Sequence, residues 1–374
     1  MIKRKLEKII LEELYKGKAI IIKGARQVGK TTLLKSMLSS CNNTIWLNAD
    51  ESDVRALFET PSSTILKAII GNNKVLVIDE AQRISDIGLK LKLITDNISG
   101  LQLIATGSSS FELSNEINEP LTGRKWEHCL YPLSFAEMVA ENGLLEEKRM
   151  LSHRLIYGYY PEVVNSLGIE RKVLKELSED YLYKDILRLD LIKKSDKLVK
   201  LLQALAFQVG SQVSYNELAQ TIGISSATVE TYIDLLEKCF IVFRLGSFSR
   251  NLRNELKSSK KIYFYDNGIR NAIIANFSPV EMRNDIGALW ENFVISERMK
   301  FNSYSERFCN SWFWRTAQQQ EIDYIEEKGG LLTAFEFKYN SLKRVKMPIT
   351  FSKAYPDAKF LVVSPENIEA FLLG

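Results

Sequence analysis

Gly24, Gly29, Lys30 and Thr31 fill the spacing G-x-x-x-x-G-K-[ST] inside IIIKGARQVGKTTLLKS. This is chemistry for a polyphosphate: glycines let the main chain wrap closely around it, and the first N–H groups of the following helix point at the anion. The loop Gly24, Ala25, Arg26, Gln27, Val28, Gly29, Lys30, Thr31 and Thr32 is therefore expected to bind ATP. Within it, Lys30 reaches the outer phosphates and the Thr31 hydroxyl joins the shell of a Mg2+ ion. An acidic pair, Asp79 and Glu80, closes the apolar run VLVI. Asp79 is expected to hold the magnesium through water, and Glu80 to orient or deprotonate the attacking water. LQLIATGSSS ends in hydroxyls, and Thr106, Ser108 or Ser109 is placed to sense the terminal phosphate. We single out Ser108, although hydroxyls after a strand also cap helices.

A second constellation lies in the last hundred residues. The helical stretch DIGALWENFVISERMK supplies Glu291, and in TAFEFK the period of two puts Glu336 and Lys338 on one face, Phe335 and Phe337 on the other. Asp323, in QEIDYIEE, sits on the preceding strand, and the short KGG turn makes the two strands antiparallel neighbours. An Asp followed by Glu-x-Lys can gather one or two Mg2+ ions with a lysine beside the activated water, as phosphodiester hydrolysis requires. Acids alternating with aromatics also describe any half-exposed strand.

These residues need elements to position them. GKAIIIKG reads as a buried strand and TTLLKSML as the helix after the loop, while VLVI reads as a parallel strand covered on both faces. Its carboxylates then emerge at the C-terminal edge, where open α/β sheets hold ligands. Residues 196 to 250 read as three helices and a ribbon, with Ser214 and Glu217 as a capping box and Gly223 as the turn. That order is a winged helix-turn-helix. Its expected recognition helix exposes Glu230, Asp234 and Glu237, which repel phosphate. DNA contact is instead expected in the wing, where Arg250, Arg253, Lys257, Lys260 and Lys261 face one acid, Glu255. Domain packing or partner binding is the other use of such a run.

The 374 residues are too many for one ordinary core, so two to four domains are expected. Composition is 45% hydrophobic and 26% charged, and a net charge of +4 does not by itself imply nucleic acid. No apolar run approaches the roughly 18 residues that span a bilayer, so no membrane partner is expected. MIKRKLEKIILEEL has helical spacing rather than the form of a secretory signal, which points to the cytoplasm. The separated Cys41, Cys129, Cys239 and Cys309 suit a reducing compartment and exclude a cysteine-type zinc site. Only His128 and His153 are present, which leaves little material for histidine chemistry.

In order and spacing, GARQVGKTTLL, VLVIDEAQ, ATGSSSFEL and LTGRKWEHCLYPLSFAEM resemble the prokaryotic ATPases of the AAA+ superfamily that carry an uncharacterised C-terminal region. The likeness is looser afterwards, through KIYFYDNGIRNAI and GALWENFV. In YGYYPEVV, Tyr159 departs from a glycine-rich version. The resemblance implies a parallel sheet with the phosphate loop on its first strand, a magnesium and water pair on its third, and a small helical lid. It offers Arg124 as the arginine that completes a neighbour's site in a homo-oligomer, the alternative being an exposed ion-pairing residue. It assigns no lid arginine, and nothing in the sequence supports Arg154 in that place. The C-terminal region resembles the restriction-endonuclease-like core, with Asp323, Glu336 and Lys338 in motif positions and Glu291 as the helical carboxylate. The expected organisation is an α/β multidomain chain: a P-loop AAA+ domain at 1–134, a lid at 135–194, a winged helix-turn-helix at 195–276 and a nuclease-like domain at 277–374. The expected function is Mg2+-dependent ATP hydrolysis coupled to a DNA-associated region, with cleavage of that DNA left open between an active nuclease core and a vestigial, metal-independent one. The alternative is an ATP-dependent switch or chaperone whose C-terminal half is a protein-interaction scaffold.

Overall fold

The computed structural model describes residues 2–39, 41–60, 62–108, 120–179, 195–249, 260–340 and 345–374. They form two compact units, Met1–Pro132 with Lys238–Phe240, and Leu133–Glu237 with Ile241–Gly374.

In the first unit, strands β1 (Ala19–Lys23), β2 (Thr44–Asn48), β3 (Val75–Asp79), β4 (Gln102–Gly107) and β5 (Lys125–Cys129) form one sheet in the order β2-β3-β4-β1-β5. Every pairing is parallel. β1, β3 and β4 are buried along their whole length, which is why they read as continuous apolar runs rather than alternating ones. Ile21, Leu76, Ile78, Leu91, Ile94 and Ala105 belong to the core packed against this sheet. Because the strands run the same way, the loop after β1, the acids after β3 and the hydroxyls of β4 emerge at one edge. Arg124 precedes β5, and its carbonyl accepts from the N–H of Ala19 at the start of β1 (2.9 Å), so it stands at the opposite edge.

The second unit opens with helices Phe135–Asn142, Leu144–Arg149, Leu151–Tyr157 and Glu170–Glu179. Ser134 and Glu137 form a reciprocal capping box on the first of these. Helix Ser195–Phe207, β6 (Gln212–Val213), helices Tyr215–Ile222 and Ser226–Lys238, β7 (Val242–Gly246) and β8 (Lys260–Phe264) follow. The three strands pair antiparallel in the order β6-β8-β7. Ser214 accepts the N–H of Glu217 at 3.4 Å, and Gly223 ends that helix with φ 75°, a conformation that favours glycine. Helix Ile286–Tyr304 then leads into β9 (Asn310–Arg315), β10 (Glu321–Lys328) and β11 (Leu331–Phe337), helix Ile349–Ala354 and β12 (Lys359–Val363). Their sheet runs β12-β11-β10-β9, with β12 parallel to β11 and the other pairs antiparallel.

The segment KIYFYDNGIRNAI holds this unit together through buried amides. Asn267 donates to the carbonyls of Leu155 (3.2 Å) and Leu289 (3.1 Å), and Asn271 to those of Leu155 (3.2 Å) and Ile156 (2.8 Å). Asp266 accepts the N–H groups of Tyr159 (2.7 Å) and Ile269 (3.1 Å). Each buried polar group thus has a partner on another element. The departure at Tyr159 has a structural use: its buried hydroxyl donates to Glu147 Oε1 at 2.7 Å. Arg154 donates to the same carboxylate oxygen at 2.9 Å and is 3% exposed. Its guanidinium is thus held inside the second unit, against Glu147.

Candidate active sites

At the C-terminal edge of the first sheet the phosphate loop is shaped by close approach. A Cβ on Gly24 would stand 2.2 Å from the carbonyl oxygen of Leu130, and Gln27 and Gly29 are left-handed at φ 58° and 96°. Ala25 and Val28 are buried beneath the loop, Arg26 is half-buried, and Gln27 and Thr32 are exposed. Lys30 opens the helix Lys30–Met37, and its ammonium donates to the carbonyls of Gly24 (2.9 Å) and Ala25 (3.0 Å).

The Thr31 hydroxyl donates to Asp79 Oδ2 at 2.8 Å, so loop and strand meet at one point. Thr106 donates to the other oxygen of Asp79 and accepts the N–H of Glu80 at 3.1 Å. Glu80 itself is left-handed at φ 53°, an uncommon conformation for a non-glycine residue and one that often marks a working site. Gln82 donates through Nε2 to Glu80 Oε2 (2.6 Å) and to Ser108 Oγ (3.0 Å). Of the three hydroxyls considered, Thr106 therefore contacts Asp79 and Ser108 joins Glu80 through Gln82, while Ser109 lies outside the described residues. Sequence reasoning missed Gln82, whose only signal is its place in DEAQ. Hydroxyl and carboxylate oxygens are donors that suit Mg2+, so Thr31 and Asp79 fit that ion chemically. Arg124, at the far edge, pairs with Asp96 at 2.7 Å.

The second unit gathers Glu291, Asp323, Glu336 and Lys338 with three residues sequence reasoning missed, Lys261 as a site residue, Tyr263 and Glu321. Lys338 pairs with Glu336 at 2.7 Å, and Asp323 accepts the N–H of Phe337 at 2.8 Å, which locks β10 to the end of β11. Glu291 Oε1 accepts from Lys261 (2.9 Å) and from the Tyr263 hydroxyl (2.6 Å), and Lys261 also reaches Glu321 at 2.7 Å. Burial pushes Glu291 up to about 7 against the pull of Lys261, and the charge of Asp323 adds to the rise. Burial also raises Asp323; in Glu336, burial and then the charge of Asp323 do so. Burial opposes the charge on Lys261, but Glu291 and Glu321 outweigh it and hold the ammonium above the usual lysine range.

Lys261 is thus a correction. The sequence puts it among the wing residues that touch DNA, yet it is 2% exposed with its amine between two carboxylates. Lys260 remains half-buried at the start of β8, whereas Arg250, Arg253 and Lys257 lie outside the described residues. Glu230 is exposed on helix Ser226–Lys238, but Asp234 and Glu237 both pair with Arg244. Among the described residues no group of three or more His, Cys, Asp or Glu is arranged to hold a metal ion. Glu291 is engaged by Lys261 and Tyr263, Glu336 by Lys338, and Asp323 by the N–H of Phe337. Among the described residues no helix is long and apolar enough to cross a membrane.

The five-stranded parallel sheet with its phosphate loop has the architecture of a P-loop ATPase. A family model described as an AAA domain matches residues 16–139, and two described as domains of unknown function match 148–280 (DUF8612) and 286–371 (DUF4143). Among solved structures, a Walker-type ATPase of Pyrococcus abyssi superposes with a TM-score of 0.53 at 15% identity, covering 73% of this chain and 96% of that one. An uncharacterised protein of Mycobacterium tuberculosis is 25% identical over 336 residues, 88% of this chain and 72% of the relative. One of Methanocaldococcus jannaschii is 24% identical over 373 residues, 93% of this chain and 81% of the relative.

Proposed function

We propose that the chain is an ATP-hydrolysing AAA+ ATPase whose C-terminal half acts on DNA. The observation that carries the ATPase reading is the 2.8 Å contact between Thr31 and Asp79, which brings the two expected magnesium residues together. Mg2+, bound with ATP, supplies neutralisation of phosphate charge there. The N–H groups between Gly24 and Thr32 enclose the phosphates, and Lys30 exchanges the carbonyls of Gly24 and Ala25 for phosphate oxygens. Glu80 takes the proton of the attacking water, aimed by Gln82 and Ser108. Arg124 serves the site of a neighbouring copy.

For the C-terminal half, the order helix, strand, helix, helix, strand, strand supports a winged helix-turn-helix whose wing residues Arg250, Arg253, Lys257 and Lys260 meet DNA phosphates. The order helix, three strands, helix, strand supports the nuclease-like reading. There Asp323 and Glu336 would hold a Mg2+ ion, which would supply activation of a water for phosphodiester hydrolysis, with the Lys338 ammonium beside it. The test is to measure ATP turnover together with the integrity of single-stranded and duplex DNA, for wild type and Glu80→Gln. DNA-stimulated turnover that the variant loses is the expected result. Turnover indifferent to DNA would favour the switch or chaperone reading.

A further inference from the structure

Behind the phosphate loop lies an arginine from the segment before β1. Arg4 caps helix Lys5–Glu13 with extended backbone and is 8% exposed. One terminal nitrogen donates to the carbonyl of Val28 at 2.7 Å, the other to that of Tyr131 at 2.6 Å. A Cβ on Gly29 would lie 3.7 Å from the first nitrogen.

Val28 sits between the left-handed Gln27 and Gly29, so the peptide that joins Val28 to Gly29 has no helical or strand ladder to set its direction. A peptide unit is planar and trans, and its C=O and N–H point opposite ways. A carbonyl drawn to the outside of the loop therefore aims the N–H of Gly29 to the inside. An inward carbonyl would meet phosphate oxygens with like partial charge, whereas an inward N–H donates to them. Arg4 supplies a charged donor on the outer side, and burying that guanidinium is tolerable because carbonyls receive it. Its second anchor adds rigidity. Tyr131 follows Leu130, whose carbonyl leaves no room for a side chain at Gly24, so the same two residues bear on both ends of the loop.

We propose that Arg4 is a positioning residue of the nucleotide site, holding the Val28–Gly29 peptide with its N–H toward the phosphates. This rests on the nucleotide-site reading above. The test is a fluorescence titration with ATP on the full chain for wild type, Arg4→Ala and Arg4→Lys, with thermal melts alongside. Losing a charge-assisted hydrogen bond predicts at least about tenfold weaker binding in Arg4→Ala. Arg4→Lys keeps the charge but not the fork, so its loss is intermediate, and it decides the matter if the alanine variant does not fold. Millimolar guanidinium restores part of the affinity of Arg4→Ala, although the same ion would only unfold a chain weakened at random. Wild-type affinity in the folded variants overturns the proposal and leaves the nucleotide site standing. Weak binding that neither lysine nor guanidinium improves makes Arg4 a purely structural residue, which also overturns it. Wild type that fails to bind ATP removes the nucleotide-site reading itself.

Discussion

Lys261 holds its ammonium 2.9 Å from Glu291 and 2.7 Å from Glu321, with its own side chain 2% exposed. Removing one partner of such a group leaves buried charge uncompensated, at a cost of about 3–5 kcal/mol. Lys261→Met is expected to lower stability by that order, and the double variant Lys261→Met with Glu291→Gln to recover part of it. Urea denaturation checks this, and equal midpoints for wild type and Lys261→Met would refute it.

The same pair gives a pH dependence. Glu291 rises from its ordinary 4.5 to about 7 in the folded chain, so the native state binds the proton more tightly than the unfolded one. Its contribution to stability is full below pH 4.5 and is lost as pH rises through about 7. Glu291→Gln should flatten the melting temperature across that window. A variant that loses stability with pH as steeply as wild type would place the titration elsewhere.

Lys30 gives two hydrogen bonds to its own loop and offers the amine nearest the expected phosphates. Lys30→Ala is expected to abolish ATP binding in a fluorescence titration while the melting transition survives. Unchanged affinity would contradict the placement of the phosphates.

Glu80 and Gln82 share a 2.6 Å hydrogen bond. Glu80→Gln should bind ATP normally but turn over about 10²–10⁴-fold more slowly, the usual worth of a general base. Gln82→Ala should lose a smaller factor in kcat with little change in affinity. Normal turnover in Glu80→Gln would remove its catalytic assignment.

Glu336 pairs with Lys338 as Glu291 does with Lys261, and Asp323 accepts the N–H of Phe337 beside them. Asp323→Asn and Glu336→Gln are expected to lose Mg2+-dependent nicking of plasmid DNA. Equal nicking by wild type and both variants would assign the cleavage to another site.

Much of the first unit is legible in its sequence because a strand buried on both faces is a continuous apolar run, and because few residue patterns can wrap a polyphosphate. β1, β3 and β4 follow from such runs, and the Thr31–Asp79 contact joins residues already singled out. Lys261 shows where this stops. In the sequence it ends a basic run and reads as exposed, but burial is decided by Glu291 and Glu321, carboxylates on distant elements that strand β8 happens to face. Arg4 is hidden for the same reason, since its acceptors are main-chain carbonyls that no side-chain pattern announces. Tyr159 stands out as a departure, yet its reason is Glu147, a partner on the helix Leu144–Arg149.

Arg124 stands at the edge of the sheet remote from the loop that follows β1, tied there through Ala19. If that arginine serves turnover, a molecule at infinite dilution lacks it, and each copy would borrow what it cannot give itself. Specific activity would then climb with protein concentration, and mixing Arg124→Ala chains with Lys30→Ala chains would revive a rate that neither has alone.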